Sequence, residues 1–320
     1  MTSSKPLLWV TRKLPDSVIE RARSRFDLIC EPDDQRQTSA DILEMSGRVD
    51  AMLVCHLERF DAELVRALLP RLKIVASYSV GLDHCDVEAF VERGIVLSNT
   101  PDVLSDATAE VAILLMLAAA RRAGEGYTMV RESRWASWTP SFMVGTQTSG
   151  KRFGVVGMGR VGQVAARRAL GFDMSIHYHN RTPLVDWPQA HYHDNIESLL
   201  EHSDVLSLHC PSTSETRGLI NAERLAHLPV GAIVVNTARG DVVDDDALID
   251  ALRSGRIQAA GLDVFKGEPD LHPAYKELDN VFVLPHIGSA TGQTREAMGM
   301  RALDNLDAFF DGREPGDRVA

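Results

Sequence analysis

Three side chains in the later half of the sequence could together move a proton and steady a negative charge. They are Arg239 after Asn236-Thr237-Ala238, Glu268 within Gly267-Glu268-Pro269, and His286 after Leu284-Pro285. Each follows a stretch that reads as a β-strand, and open α/β sheets hold their ligands at such strand ends. Reduction of a keto acid calls for this kind of set: a cation for the carboxylate and carbonyl oxygens, and a proton donor for the developing alkoxide. A carboxylate beside an imidazole favours its charged form. Singly, Arg239 reads as a surface cation and His286 as a hydrogen-bonded loop residue. Their joint arrangement is what suggests chemistry.

A second motif supplies a place for a dinucleotide. Gly157-Met158-Gly159-Arg160-Val161-Gly162 follows the apolar run Phe153–Val156 and opens a helical pattern. In that setting the first glycine allows the tight turn, the second admits the pyrophosphate, and the third lets helix pack on strand. The positive end of the helix dipole then faces the diphosphate. About 20 residues further on, an NAD site usually carries an acid for the ribose 2′-hydroxyl. Here the stretch reads His179-Asn180-Arg181-Thr182, with Asn180 at the position of that acid. Without a carboxylate to repel a 2′-phosphate, and with a guanidinium to pair with it, NADPH is the expected cofactor and NADH a possible one.

The elements that must position these residues alternate. Strands are expected at Leu7–Thr11, Leu28–Cys30, Ala51–Cys55, Ile74–Ser77 and Val96–Ser98, with helices near Asp16–Arg25, Ala40–Ser46, Ala62–Leu69 and Val87–Glu92. A long helix is expected from Ser105 to Arg122, then an irregular arm over Gly124–Gly150. A second series of strands lies at Arg152–Val156, Ser175–His179, Val205–His209, Ala232–Asn236, Ala259–Asp263 and Val281–Leu284, and a last helix over Thr291–Phe310. Such alternation indicates α/β architecture with two doubly wound parallel sheets.

Composition narrows the class. The 320 residues exceed what one core usually supports, and a formal charge of −11 disfavours broad nucleic-acid binding. Cys30, Cys55, Cys85 and Cys210 are scattered, a pattern suited to reduced thiols in the cytoplasm. The apolar run Val111–Ala120 is about half of what a membrane span needs, and the first residues lack a signal-peptide core. No membrane association is expected.

Taken in order, the motifs resemble the D-isomer-specific 2-hydroxyacid dehydrogenases over nearly the whole chain, and within that family the glyoxylate/hydroxypyruvate reductase branch. They are Ser77 to His84, Asn99-Thr100-Pro101, Ala109-Glu110, Gly157 to Gly162, His209-Cys210-Pro211, Asn236 to Gly240, Gly261 to Val264, Glu268-Pro269 and Pro285 to Gly288. The resemblance implies two Rossmann-like domains around a cleft. The catalytic domain would comprise residues 1–100 plus 289–320 and the dinucleotide domain 101–288. It implies that Arg239 binds the substrate carboxylate and carbonyl, that His286 is the acid/base, and that Glu268 orients and charges it. Backbone N–H groups of Ser79, Val80 and Gly81 would cradle the carboxylate. Thr108, Cys210, Pro211, Thr216, Thr237, Ala238, Asp263 and Gly288 would line the cofactor, with Asp263 near the carboxamide. A homodimer is implied too, in which Trp138 either reaches the neighbouring subunit's substrate pocket or anchors the contact. Leu57 either faces substrate or is a plain core leucine, the second being the simpler reading.

Two other readings remain. One keeps the mechanism but takes NAD, as in phosphoglycerate-type dehydrogenases. The other is a dinucleotide-sensing binding protein like the C-terminal binding protein corepressors, disfavoured because all three catalytic candidates are present. His177, His179, His191 and His193 suggest a metal, but alternation along short strands places each pair on one face by default. No metal is expected. Asp244-Asp245-Asp246 reads as the acidic start of a helix beginning near Ala247.

Overall fold

The computed structural model describes residues 5–31, 33–187 and 189–320. The chain divides into two compact units, one formed by the residues up to Leu104 with Ala290–Ala320, the other by Ser105–Ser289.

In the first unit, strands β1 (Leu7–Val10), β2 (Asp27–Cys30), β3 (Ala51–Val54), β4 (Ile74–Ser77) and β5 (Val96–Ser98) form a parallel sheet in the order β2-β1-β3-β4-β5. Every residue of β3 and β4 is buried. A parallel sheet covered on both faces requires such unbroken apolar runs. The connecting helices are α1 (Asp16–Arg25), α2 (Ser39–Ser46), α3 (Ala62–Ala67) and α4 (Val87–Arg93). Three of them start on a side-chain cap: Thr38, Asp61 and Asp86 accept from the N–H groups of Asp41, Leu64 and Ala89. Each such cap is worth about 1 kcal/mol.

The second unit opens with α5 (Ser105–Ala120) and α6 (Ala123–Arg131). Its strands β6 (Arg152–Val156), β7 (Ser175–His179), β8 (Ala190–Tyr192), β9 (Val205–Leu208), β10 (Ala232–Asn236), β11 (Ile257–Leu262) and β12 (Val281–Val283) are parallel, in the order β12-β11-β10-β9-β6-β7-β8. Helices α7 (Arg160–Leu170), α8 (Ile196–Glu201), α9 (Ala222–His227) and α10 (Asp245–Arg253) connect them. Asp244 caps α10 by accepting from Ala247 N–H, so the three-aspartate run is a helix start. Helix α5 is apolar on nearly every side because it lies against the sheet: a Cβ on Gly261 of β11 would fall 2.8 Å from Leu115 Cβ.

The last helix, α11 (Gly292–Phe310), returns to the first unit. Met298, Ala302, Leu303 and Leu306 share a core with Val18, Ala22 and Phe26. Beyond it, Val319 N–H donates to Leu97 O, and Arg301 clamps Asp317 through two contacts of 2.7 Å.

Two elements differ from the sequence reading. The arm expected to be irregular contains α6, and the sequence pattern does not reveal a seventh strand, β8. Among the described residues, no helix is long and apolar enough to cross a membrane.

Candidate active site

In the second sheet the chain winds outward from β6 to β7 and β8, then crosses back to β9 on the other side of β6. The gap between β6 and β9 is therefore the topological switch point, where doubly wound sheets bind dinucleotides. The glycine motif sits there. Gly157 has φ 89°, and a Cβ on it would meet Cys210 N at 2.7 Å, so a side chain is excluded on both counts. A Cβ on Gly162 would lie 2.4 Å from Gly157 O, which explains the close packing of α7 on the turn. Around Gly159 nothing lies within 4 Å of such a Cβ, leaving open space at the start of α7. Gly159 caps that helix without a side-chain acceptor, and Arg160 and Val161 form its first turn. Open space beside uncapped N–H groups suits a diphosphate.

Asn180 follows β7, and its Oδ1 accepts from Met158 N–H at 2.6 Å. The amide thus fastens the glycine loop. Arg181 and Thr182 are exposed just beyond, and Arg181 makes no ion pair among the described residues. On the β9 side, Cys210 is buried, and Thr216 Oγ1 donates to Pro211 O at 2.6 Å, closing the next turn. His209 lies between Ser207 Oγ (2.8 Å) and Thr237 Oγ1 (3.4 Å), linking the ends of β9 and β10. Burial lowers its pKa to about 4, so the ring is neutral there.

The three catalytic candidates stand on loops at the ends of β10, β11 and β12. Asn236 holds the first loop at both ends: its Oδ1 accepts from Ala238 N–H and its Nδ2 donates to Arg239 O, both at 2.9 Å. Arg239 Nη1 in turn donates to Ala238 O. Gly240, the next residue, packs directly on the Phe265–Lys266 peptide. Phe265 N–H donates to Glu268 Oε1 at 2.7 Å, while Glu268 Oε2 lies 2.7 Å from His286 Nδ1. His286 has φ 54°, a left-handed conformation uncommon for a residue with a Cβ. The buried Asp263 carboxylate holds this loop, accepting from Ile287 N–H at 2.8 Å and Gly288 N–H at 2.7 Å. Burial pushes the Asp263 carboxyl up, and those two N–H groups oppose the rise. Thr108 of α5 is buried beside Gly288.

Asp263 and Asn236 act on the loops that carry His286 and Arg239. This tethering is not evident in the sequence, which suggests a place near the carboxamide for Asp263 and no role for Asn236.

In the first unit, the turn after β4 is fastened from several sides. Ser77 Oγ is 2.7 Å from Ser79 Oγ and 3.2 Å from His84 Nε2, and Ser79 Oγ donates to Gly81 O. Asn99 Nδ2 donates to Val80 O, and Thr100 N–H to Ser79 O. Leu57 is not a core leucine: it is 40% exposed at the tip of the turn after β3. Trp138 is 74% exposed between α6 and β6 in the second unit.

Four histidines gather at the β7–β8 edge. His177 stacks on His191, its cross-strand partner, and its Nδ1 is 3.0 Å from His193 Nε2. His202, the residue after α8, also stacks on His177, a contact that sequence spacing does not suggest. His179 turns instead to His193 O. Among the described residues no group of three or more His, Cys, Asp or Glu is arranged to hold a metal ion.

Comparison with known proteins agrees with this architecture. Residues 113–288 match the family model of the D-isomer specific 2-hydroxyacid dehydrogenase NAD binding domain. A glycerate dehydrogenase of Hyphomicrobium methylovorum is 43% identical over 315 residues, covering 97% of this chain and 98% of that protein. A glyoxylate reductase of Thermococcus onnurineus is 44% identical over 317 residues, covering 97% and 95%. The NADPH-dependent glyoxylate/hydroxypyruvate reductase of Sinorhizobium meliloti, solved with NADP and malonate, superposes with a TM-score of 0.88 at 34% identity, covering 99% and 97%. The chain therefore belongs to the D-isomer-specific 2-hydroxyacid dehydrogenases, a family of nicotinamide-dependent oxidoreductases.

Proposed function

We propose that the protein reduces a short 2-keto acid of the glyoxylate or hydroxypyruvate type to the D-2-hydroxy acid, with NADPH preferred. The observation that carries this reading is the 2.7 Å contact between His286 Nδ1 and Glu268 Oε2, on a loop held by the buried Asp263. With Nδ1 directed at the carboxylate, the proton for substrate is the one on Nε2. Arg239 draws negative charge onto the substrate's carboxylate and carbonyl oxygens. When bound, the dinucleotide supplies the hydride for the keto carbon. His286 then delivers its proton to the carbonyl oxygen, giving the hydroxyl. Glu268 fixes the plane of the ring through its contact with Nδ1.

The open space at Gly159 and the first turn of α7 support diphosphate binding there. Cys210, Pro211, Thr216, Thr237, Ala238, Thr108 and Gly288 complete the cofactor's surroundings in this reading. The exposed Arg181, with no competing carboxylate at Asn180, supports recognition of a 2′-phosphate. Initial rates with a panel of 2-keto acids, run with NADPH and with NADH, test the assignment. The expected result is fastest turnover of the two- and three-carbon acids with NADPH, and absence of turnover with every acid rejects it.

We also propose a cytoplasmic homodimer. Tyr127, Val130, Trp135, Trp138 and Val144 are all more than half exposed along α6 and the segment after it, and α6 buries none of its side chains. A cavity of about 560 Å³ opens beside them, lined by Leu117, Phe142, Val144 and Phe172 among others, and separate from the catalytic loops. An apolar face of this extent marks an association surface.

A further inference from the structure

The residue after Gly240 reaches a different loop of the same unit. Asp241 sits in the short 3-10 turn Gly240–Val242, and its partly buried carboxylate faces the segment Pro211–Gly218, which follows β9. Ser212 Oγ donates to Asp241 Oδ2 at 2.7 Å, and Arg217 Nε approaches the same oxygen at 3.4 Å. Backbone bonds join the two stretches as well. Gly218 N–H donates to Asp241 O, Ile220 N–H to Val242 O, and Asp244 N–H back to Ile220 O. Within the segment, Thr216 Oγ1 accepts from Thr213 N–H at 2.8 Å and Arg217 N–H donates to Thr213 O, closing a turn over residues 213–217. That turn buries none of its side chains. Without a core of its own, it takes its place from its attachments: the backbone bonds at its exit and the Ser212–Asp241 bond at its entry. A carboxylate acceptor makes the second a strong bond, whereas the exposed Arg217 pair adds little.

The segment leaves the carboxyl end of β9, one wall of the β6/β9 crevice, and Cys210 at its start lies within 3 Å of the Cβ that Gly157 lacks. A ligand at that switch point meets the glycine turn on one side and this segment on the other. We propose that Asp241 is a positioning residue for the dinucleotide, holding the Pro211–Gly218 segment in its binding shape before the cofactor arrives. This rests on the dinucleotide site described above and extends it to a residue outside the cofactor-lining and catalytic sets. A segment fixed in advance loses less freedom on binding, so affinity rises. Arg239 keeps its place when the carboxylate is removed, because Asn236 and the Gly240 contact hold its loop independently.

The test is Asp241→Ala in the full-length protein, with NADPH and NADH binding followed by fluorescence titration. The dissociation constant of each should rise about tenfold, the loss expected for a hydrogen bond to a charged group. At saturating cofactor, kcat with glyoxylate should stay within about twofold. Trypsin should cut after Arg217 faster than in wild type, and added NADPH should restore protection. Asp241→Asn, which keeps an oxygen for Ser212, should recover most of the affinity. Ser212→Ala should reproduce the loss, and combining it with Asp241→Ala should weaken binding no further, since both remove one contact. Dissociation constants at the wild-type level in Asp241→Ala overturn the proposal. So does a fall in kcat with affinity unchanged, which would assign Asp241 to the Arg239 loop instead. If Asp241→Ala cannot be isolated folded, Ser212→Ala decides by the same measure, and wild-type affinity there overturns the proposal. Failure of the underlying reading looks different: the unmutated protein itself would then bind neither dinucleotide.

Discussion

Gly240 stands against the Phe265–Lys266 peptide so closely that a Cβ on it would fall 1.9 Å from Phe265 C and 2.1 Å from Lys266 N. The loop of Arg239 and the loop whose Phe265 N–H binds Glu268 are therefore in backbone contact. Gly240→Ala must push the two apart. Displacement by about 1 Å at a reacting centre costs roughly a hundredfold in rate. A drop of that order in kcat/KM is expected, with NADPH binding retained in a fluorescence titration. A folded variant with normal kcat/KM would show that the two loops need not be in register.

Replacing His286 by alanine should lower kcat by about 10²–10⁴-fold, the usual size of a lost general acid. Glu268→Gln should fall between that variant and wild type, because an amide can still orient Nδ1 but carries no charge. Steady-state rates at saturating cofactor check both. Near-normal turnover in His286→Ala would remove the histidine from the mechanism.

Cofactor choice is separable from loop structure at position 180. Asn180→Asp keeps an oxygen to accept the Met158 N–H, yet sets a carboxylate near the ribose. It should weaken NADPH about ten- to a hundredfold while NADH is spared or improved. Arg181→Ala should weaken NADPH alone. Equal effects on both cofactors in the Arg181 variant would contradict a 2′-phosphate contact.

The histidine cluster should govern acid stability. Burial lowers the His177 pKa to about 4, and His191, His193, His202 and Arg152 add to the effect in that order. His193 is lowered too, first by burial and then by His202 and His191, with Asp194 opposing. Ser175 and Ser198 face the rings, and Arg152 is itself paired with Asp204. The unfolded chain takes up a proton below about pH 6.5, but folded His177 resists it until about pH 4. Stability is thus intact above about 6.5 and lost as pH falls through that window. Melting temperatures measured between pH 7 and 4 should decline, and more gently in His177→Gln. Parallel curves would clear the cluster of this role.

Val130, 60% exposed on α6, offers a test of association. Val130→Asp should convert a dimer to a chain of 35.2 kDa in sedimentation velocity. A wild-type protein that sediments as a single chain at micromolar concentration would refute the dimer.

Much of this architecture is legible in the residues because parallel strands buried on both faces are near-continuous apolar runs, and both sheets announce themselves that way. β8 escapes notice for the opposite reason: Ala190–Tyr192 is a three-residue edge strand with two exposed side chains. α6 is hidden because Gly124 and Gly126 weaken the helical pattern and no side chain is buried to create a contrast. At the site, Arg239, Glu268 and His286 stand out by type and position. The groups that hold them do not, since Asp263 acts on N–H groups 24 and 25 residues away. Leu57 shows the limit of residue type: an apolar side chain at a strand end looks the same whether the turn points it inward or out.

The return of α11 to the first sheet has a consequence in time. The unit spanning Ser105–Ser289 is continuous, so it can reach its final form while the ribosome is still adding the last helix. The earlier unit cannot, because its core waits for Met298, Ala302, Leu303 and Leu306. The segment up to Leu104 is thus made first and completed last, and until α11 arrives Val18, Ala22 and Phe26 lack the helix that covers them.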